Sequence, residues 1–131
     1  MQDRPTVQEL LAAVRGFLED DVIPTLEGRR RFHALVAANV LAIVGRELAS
    51  EEAALVEEWR RLARLLGRPA AAPPARLAAL RAAVRAVSEE LAERIRRGDA
   101  DAEPFASEVG AHVREVVREK LRVANPRYLG A

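Results

Sequence analysis

Residues 28–48 read GRRRFHALVAANVLAIVGREL, and this stretch decides the fold class. At about 100° per residue, Phe32, Val36 and Ile43 fall on one stripe, Val40 and Val44 flank it, and Leu41 and Leu48 lie almost opposite. A helix apolar on so many sides has to be surrounded. It is either the central helix of a bundle or a helix with part of its surface reserved for another chain. The central position is the simpler expectation, with Phe32, Val36, Val40, Ile43 and Val44 as core.

Working outward, helical periodicity continues along nearly the whole chain, and no segment of four or more residues alternates cleanly between apolar and polar. The expectation is an all-α, single-domain helical bundle of about five helices over residues 1–131. Upstream, Thr6 and Glu9 form a capping box after Pro5, so a first helix should run over about 7–20 and bury Leu10, Leu11, Val14 and Leu18. Pro24 breaks that pattern, and Gly28 precedes the second helix, about 29–49. Ser50 with Glu51 and Glu52 reads as an N-cap and acidic first turn for a third helix, about 51–66. Its inner face is Leu55, Val56, Trp59, Leu62, Ala63 and Leu66, with Glu57, Arg60, Arg61 and Arg64 on the other.

Gly67 and Pro69 end that helix, and RPAAAPPA, residues 68–75, forms a connection stiffened by proline. A fourth helix, about 76–97, carries Leu77, Leu80, Val84, Val87, Leu91 and Ile95 in steps of three and four, a narrow seam on an otherwise charged helix. After the polar turn at Gly98, a fifth helix, about 103–124, carries Phe105, Val109, Val113, Val116 and Leu121. Asn125-Pro126 stops it, because the residue before proline avoids the helical region.

Composition narrows the function. The chain has 131 residues and a net charge of +1, with both signs interspersed, a poor footprint for nucleic acid. It has no cysteine, which removes disulfides, thiolate metal sites and cysteine nucleophiles. MQDRPTV lacks the pattern of a secretory signal, and the apolar run from Ala34 to Gly45 is short for a bilayer. A cytoplasmic protein with no membrane partner is expected.

Catalytic constellations are missing. A di-iron bundle needs a Glu three residues before a His, but Arg30 precedes His33 and Val109 precedes His112 at that spacing. Glu108 and His112 are four apart and share a helix face, yet two ligands make no metal site. No nucleophile elbow or phosphate-binding glycine loop occurs. The expectation is therefore no catalysis, no metal and no cofactor.

The polar residues worth following are Arg29, His33, Asn39, His112, Lys120 and Asn125. Asn39 lies on the stripe of Phe32 and Val36, so if that stripe is buried its amide needs partners and fixes register. His112 and Lys120 fall in or beside the apolar stripe of the last helix. Arg29, Arg30 and Arg31 oppose the helix dipole, which calls for compensation by Asp20, Asp21 and Glu27 or by an anionic partner.

RPTVQELLAAVRGFLEDDVIPTLEGRRRFHALVAANVLAIVGREL, residues 4–48, together with EKLRVANPRYL, residues 119–129, resembles a bacterial domain family of unknown function. Genes of that family typically stand beside an aminoglycoside-phosphotransferase-like kinase and an acyl-CoA dehydrogenase. The positions that carry the resemblance are Arg4, Pro5, Glu9, Gly28, Arg29, Phe32, His33, Asn39, Lys120, Asn125 and Pro126. It implies a small helical companion of a kinase acting on hydroxyacyl-CoA intermediates, with these positions structural or at an interface. The rival expectation is a small-molecule module in which Asn39, His33, His112 and Lys120 converge on an acyl or phosphate group. A self-contained homodimer is the third.

Overall fold

A computed structural model describes residues 3–130. Among them the fold is all-α, with no strand. Four α-helices occur: α1 (Val7–Phe17), α2 (Gly28–Leu65), α3 (Leu77–Arg96) and α4 (Phe105–Ala124). The count is one below the expected five because the second and third predicted helices are continuous through Ser50. Ser50 does not cap a new helix there. Its Oγ donates to the Arg46 carbonyl at 2.9 Å, the back-bond by which a serine sits inside a helix.

By contacts the chain falls into two compact units, Met1–Ser50 and Glu51–Ala131. In the first, the capping box forms as expected. The Glu9 amide donates to Thr6 Oγ1 at 3.2 Å, and the Thr6 amide donates to Glu9 Oε2 at 2.7 Å. α1 is shorter than predicted. From Leu18 to Val22 the backbone widens into a π-turn, and a 3-10 turn, Ile23–Thr25, follows around Pro24. Gln8 Nε2 donates to the Gly45 carbonyl at 2.9 Å, tying α1 to α2. A Cβ on Gly45 would stand 3.4 Å from Gln8 Oε1, at ordinary contact distance. Leu11 and Ala12 of α1 share a groove with Leu41 and Ala42 of α2.

The expected core of this unit is overturned in large part: Leu11, Leu18 and Ile43 are half-buried, and the other expected members are exposed. α2 turns its small residues inward, with Ala38 buried and Ala34, Ala42 and Gly45 half-buried. Its large ones stay out: Phe32, Val36, Val40 and Val44 are exposed, and Ile43 is half-buried. On α1, Leu10 and Val14 are exposed, and no residue of that helix is buried. Among the described residues of the unit, only Ile23 and Ala38 are buried. Small side chains let two helices approach closely, and that approach selects the face opposite the bulky stripe.

The second unit holds the core. Trp59, Leu62, Ala63, Leu80, Val84, Leu91 and Val109 form one buried cluster, drawn from the end of α2, α3 and α4. These are the inner faces that the sequence periodicity marks. α2 ends in a Schellman motif: the Arg68 amide reaches the Ala63 carbonyl at 2.7 Å, and the Gly67 amide reaches Arg64 at 3.1 Å. Gly67 takes φ 75° there, a conformation other residues rarely adopt. Ion pairs clasp the unit. Arg81 on α3 holds Glu51 on α2 and keeps its carboxyl below the usual range by hydrogen bonding. Arg68 in the connection reaches Glu90 at 2.8 Å. Arg94 lies 4.4 Å over the Phe105 ring and donates to Asp99 at 2.9 Å.

α2 is also long and apolar enough, by length and composition, to cross a membrane. One 18-residue window has mean hydropathy 1.4, with 6% of it buried. The sequence expectation of a run too short for a bilayer is corrected to that extent. One such helix is weak ground for a membrane, since core helices and signal sequences pass the same test.

Candidate functional site

Two places concentrate what these residues can do. The first is the set of large apolar side chains left exposed on the two helices of the first unit. Val7 (59% exposed), Leu10, Val14 and Phe17 (58%) run along α1 at helical spacing, and Phe32 (63%), Leu35, Val36, Val40, Val44 and Leu48 run along α2. Most of these would be buried in an ordinary domain of this size. Scattered exposed apolar residues are normal, but ten large ones drawn from two neighbouring helices are not.

Polar residues stand beside Phe32 at the start of α2. Arg29 Nε donates to His33 Nε2 at 3.2 Å, and the Phe32 ring meets the His33 ring edge-on at 5.8 Å between centroids. Arg31 Nη1 donates to the Ile23 carbonyl at 3.0 Å, closing the 3-10 turn. Among the described residues, none of the three arginines forms an ion pair with Asp20, Asp21 or Glu27, so the expected carboxylate compensation is replaced by a histidine nitrogen and a backbone carbonyl. Asn39 is exposed. Its amide has water available and is not the buried register-fixing group expected from the stripe.

The second place lies wholly within Glu51–Ala131. A cleft of about 400 Å³ is lined by Arg61, Arg64 and Leu65 of α2 and by Glu108, Ala111 and His112 of α4. His112 is buried, with 7% of its surface exposed, and its Nδ1 has no hydrogen-bond partner. Burial pushes its pKa below the ordinary histidine value and the Arg61 charge adds to this, with Glu119 opposing. Arg61 Nη2 donates to Glu119 Oε2 at 2.7 Å, joining α2 to α4, and both side chains are more than four-fifths buried. Arg61 Nε, like His112 Nδ1, is buried without a partner. Beside them the Glu58 carboxyl is pushed up by burial and by the Glu119 charge, against the pull of Arg61 and Lys120.

The residues singled out by sequence therefore divide between the units. Arg29, His33 and Asn39 belong to the first and are exposed. In the second, His112 is the one of the convergent four that lines the cleft, and Lys120 is exposed and near enough to Glu58 to act on its charge. Asn125 is exposed and ends α4, its amide reaching the Leu121 carbonyl at 2.8 Å and its carbonyl accepting from Tyr128 at 3.1 Å. Arg61, Arg64 and Glu119 were missed. Periodicity puts Arg61 and Arg64 on a solvated face, and nothing local announces a partner 58 residues away. Among the described residues no group of three or more His, Asp or Glu could hold a metal ion.

Residues 24–128 match the family model described as Domain of unknown function (DUF6285), so the chain belongs to that family. No curated protein matches the chain, and no solved structure does.

Proposed function

We propose that this member of the family is a non-catalytic helical partner subunit, which docks through the exposed apolar stripe of α2 in its first unit on an aminoglycoside-phosphotransferase-like kinase that acts on hydroxyacyl-CoA intermediates. The observation that carries the docking part is the exposure of Phe32, Val36, Val40 and Val44 along α2. An apolar face of this kind gains free energy when a partner removes it from water, by roughly 25 cal/mol for each Å². Aromatic anchors carry a large share of such binding, and Phe32, at the start of the stripe with His33 and Arg29 next to it, fits that role. The choice of kinase as partner rests on the resemblance of residues 4–48 and 119–129 to the family encoded beside such kinases.

The test is co-expression with the neighbouring phosphotransferase-like kinase, capture through a tag on this chain, and a phosphorylation assay on a hydroxyacyl-CoA. The kinase should be captured and should gain soluble yield or activity. Phe32→Asp should weaken capture by at least about tenfold while leaving the helical content of the chain unchanged. A kinase equally soluble and active alone, and not captured, overturns the reading. Vesicle flotation of the chain by itself separates a protein-facing surface from a lipid-facing one, which the hydropathy of α2 makes the competing reading. Flotation without kinase capture would put a membrane in the partner's place.

A further inference from the structure

We propose that the cleft between the end of α2 and the first half of α4 is a binding site for a small ligand carrying an oxyanion, with Arg64 as its primary contact and Arg61 and His112 beneath it. This is independent of the docking reading, because every lining residue lies in the second unit. The cleft, at about 400 Å³, is in the range of sites for small molecules. Two arginines and a histidine face one carboxylate in its lining. Arg64 is exposed and, among the described residues, forms no ion pair; Glu108 lines the same cleft without closing on it.

Deeper in, two polar atoms are buried and unsatisfied, Arg61 Nε and His112 Nδ1. Buried polar atoms are nearly always paired; Arg61 Nε can only donate, and His112 Nδ1 donates in one of its two neutral tautomers, so both can serve an acceptor from outside the chain. A guanidinium can only donate, and it matches carboxylate and phosphate oxygens in a two-pronged fork. Arg61 spends Nη2 on Glu119, which orients its guanidinium, while its buried Nε has no partner. Leu65 and Ala111 supply an apolar wall for a short hydrocarbon part of the ligand. Glu108 adds a negative charge to the lining, so it opposes an anion there and sets the ligand's charge low.

The test uses the full chain with inorganic phosphate and acetate as separate probes, against chloride at matched ionic strength. The chain has two histidines, so imidazole NMR signals are assigned with a single His33→Gln variant. A bound anion should move the His112 signals saturably and raise its pKa, while those of His33 stay in place. Arg64→Gln, at an exposed position that leaves the fold intact, should weaken binding by at least about tenfold. Glu108→Gln should tighten it. Saturation by phosphate alone identifies a phosphate ligand, and saturation by acetate alone a carboxylate. His112 signals that move no more than in chloride overturn the proposal. So does an Arg64→Gln chain that binds as tightly as the original.

Discussion

Met1–Ser50 and Glu51–Ala131 are built from the same material and use it differently. Both are helical, and α2 supplies part of each. The second unit encloses Trp59, Leu62, Leu80, Val84, Leu91 and Val109 in one cluster, whereas the first buries Ile23 and Ala38 and leaves Phe17, Phe32, Val36 and Val40 in solvent. The difference lies in the number of helices that can close around a face. Segments of three helices meet in the second unit, so an amphipathic stripe on each finds two others. Two helices meet in the first, and each can cover only one side of its neighbour.

The comparison breaks most easily in the core. Leu62, fully buried, should cost about 3–5 kcal/mol when replaced by alanine, from lost burial and the cavity left behind. Val36→Ala, on the exposed stripe, should change stability by no more than about 0.5 kcal/mol. Denaturant unfolding of both variants checks this, and similar losses would mean that the first unit is as well packed as the second. Next comes Arg61→Ala. It strands the Glu119 carboxylate and should cost about 2–3 kcal/mol, less than a fully buried pair because both side chains keep some exposure.

A smaller effect is pH-dependent. The folded His112 resists protonation, so as pH falls below about 6.5 the unfolded chain takes up a proton that the native one refuses, and stability drops. The groups acting on it are Arg61, which strengthens the resistance, and Glu119, which opposes it. Thermal melts between pH 5 and 7 should show this slope, and His112→Gln should flatten it. Glu58 acts in the opposite sense, since its raised pKa means that ionisation weakens the fold. Glu58→Gln should stabilise the protein slightly at neutral pH, by about 0.5 kcal/mol. Smallest is Gln8→Ala in the first unit, which removes one exposed bond between α1 and α2 and should cost about 0.5 kcal/mol.

Much of the second unit was legible from residue spacing. The faces Leu55, Trp59, Leu62 and Leu80, Val84, Leu91 repeat in steps of three and four, and a helix flanked by two others has one solution for such a stripe. The capping box at Thr6 and Glu9 was legible because it is a contact between near neighbours. Ser50 misled because serine before two glutamates has the chemistry of a cap whether or not the helix restarts there. The cleft was illegible for another reason. His112 stood out as a polar residue on an apolar stripe, but Arg61 and Glu119 meet across the unit, and neither carries a local signal of the other.

By itself the sequence determined the all-α class, most of the helix ends and the membership of the second unit's core, since each follows from periodicity and capping within a few turns. Tertiary structure alone decided which face of α2 is covered. The sequence offers a bulky stripe and a small-residue face, and both are apolar enough to bury. The bond from Gln8 to Gly45 and the burial of Ala38 mark the small one as the covered face. It also decided that Arg61, Glu119 and His112 share one place, because helices distant in sequence are brought together only by packing.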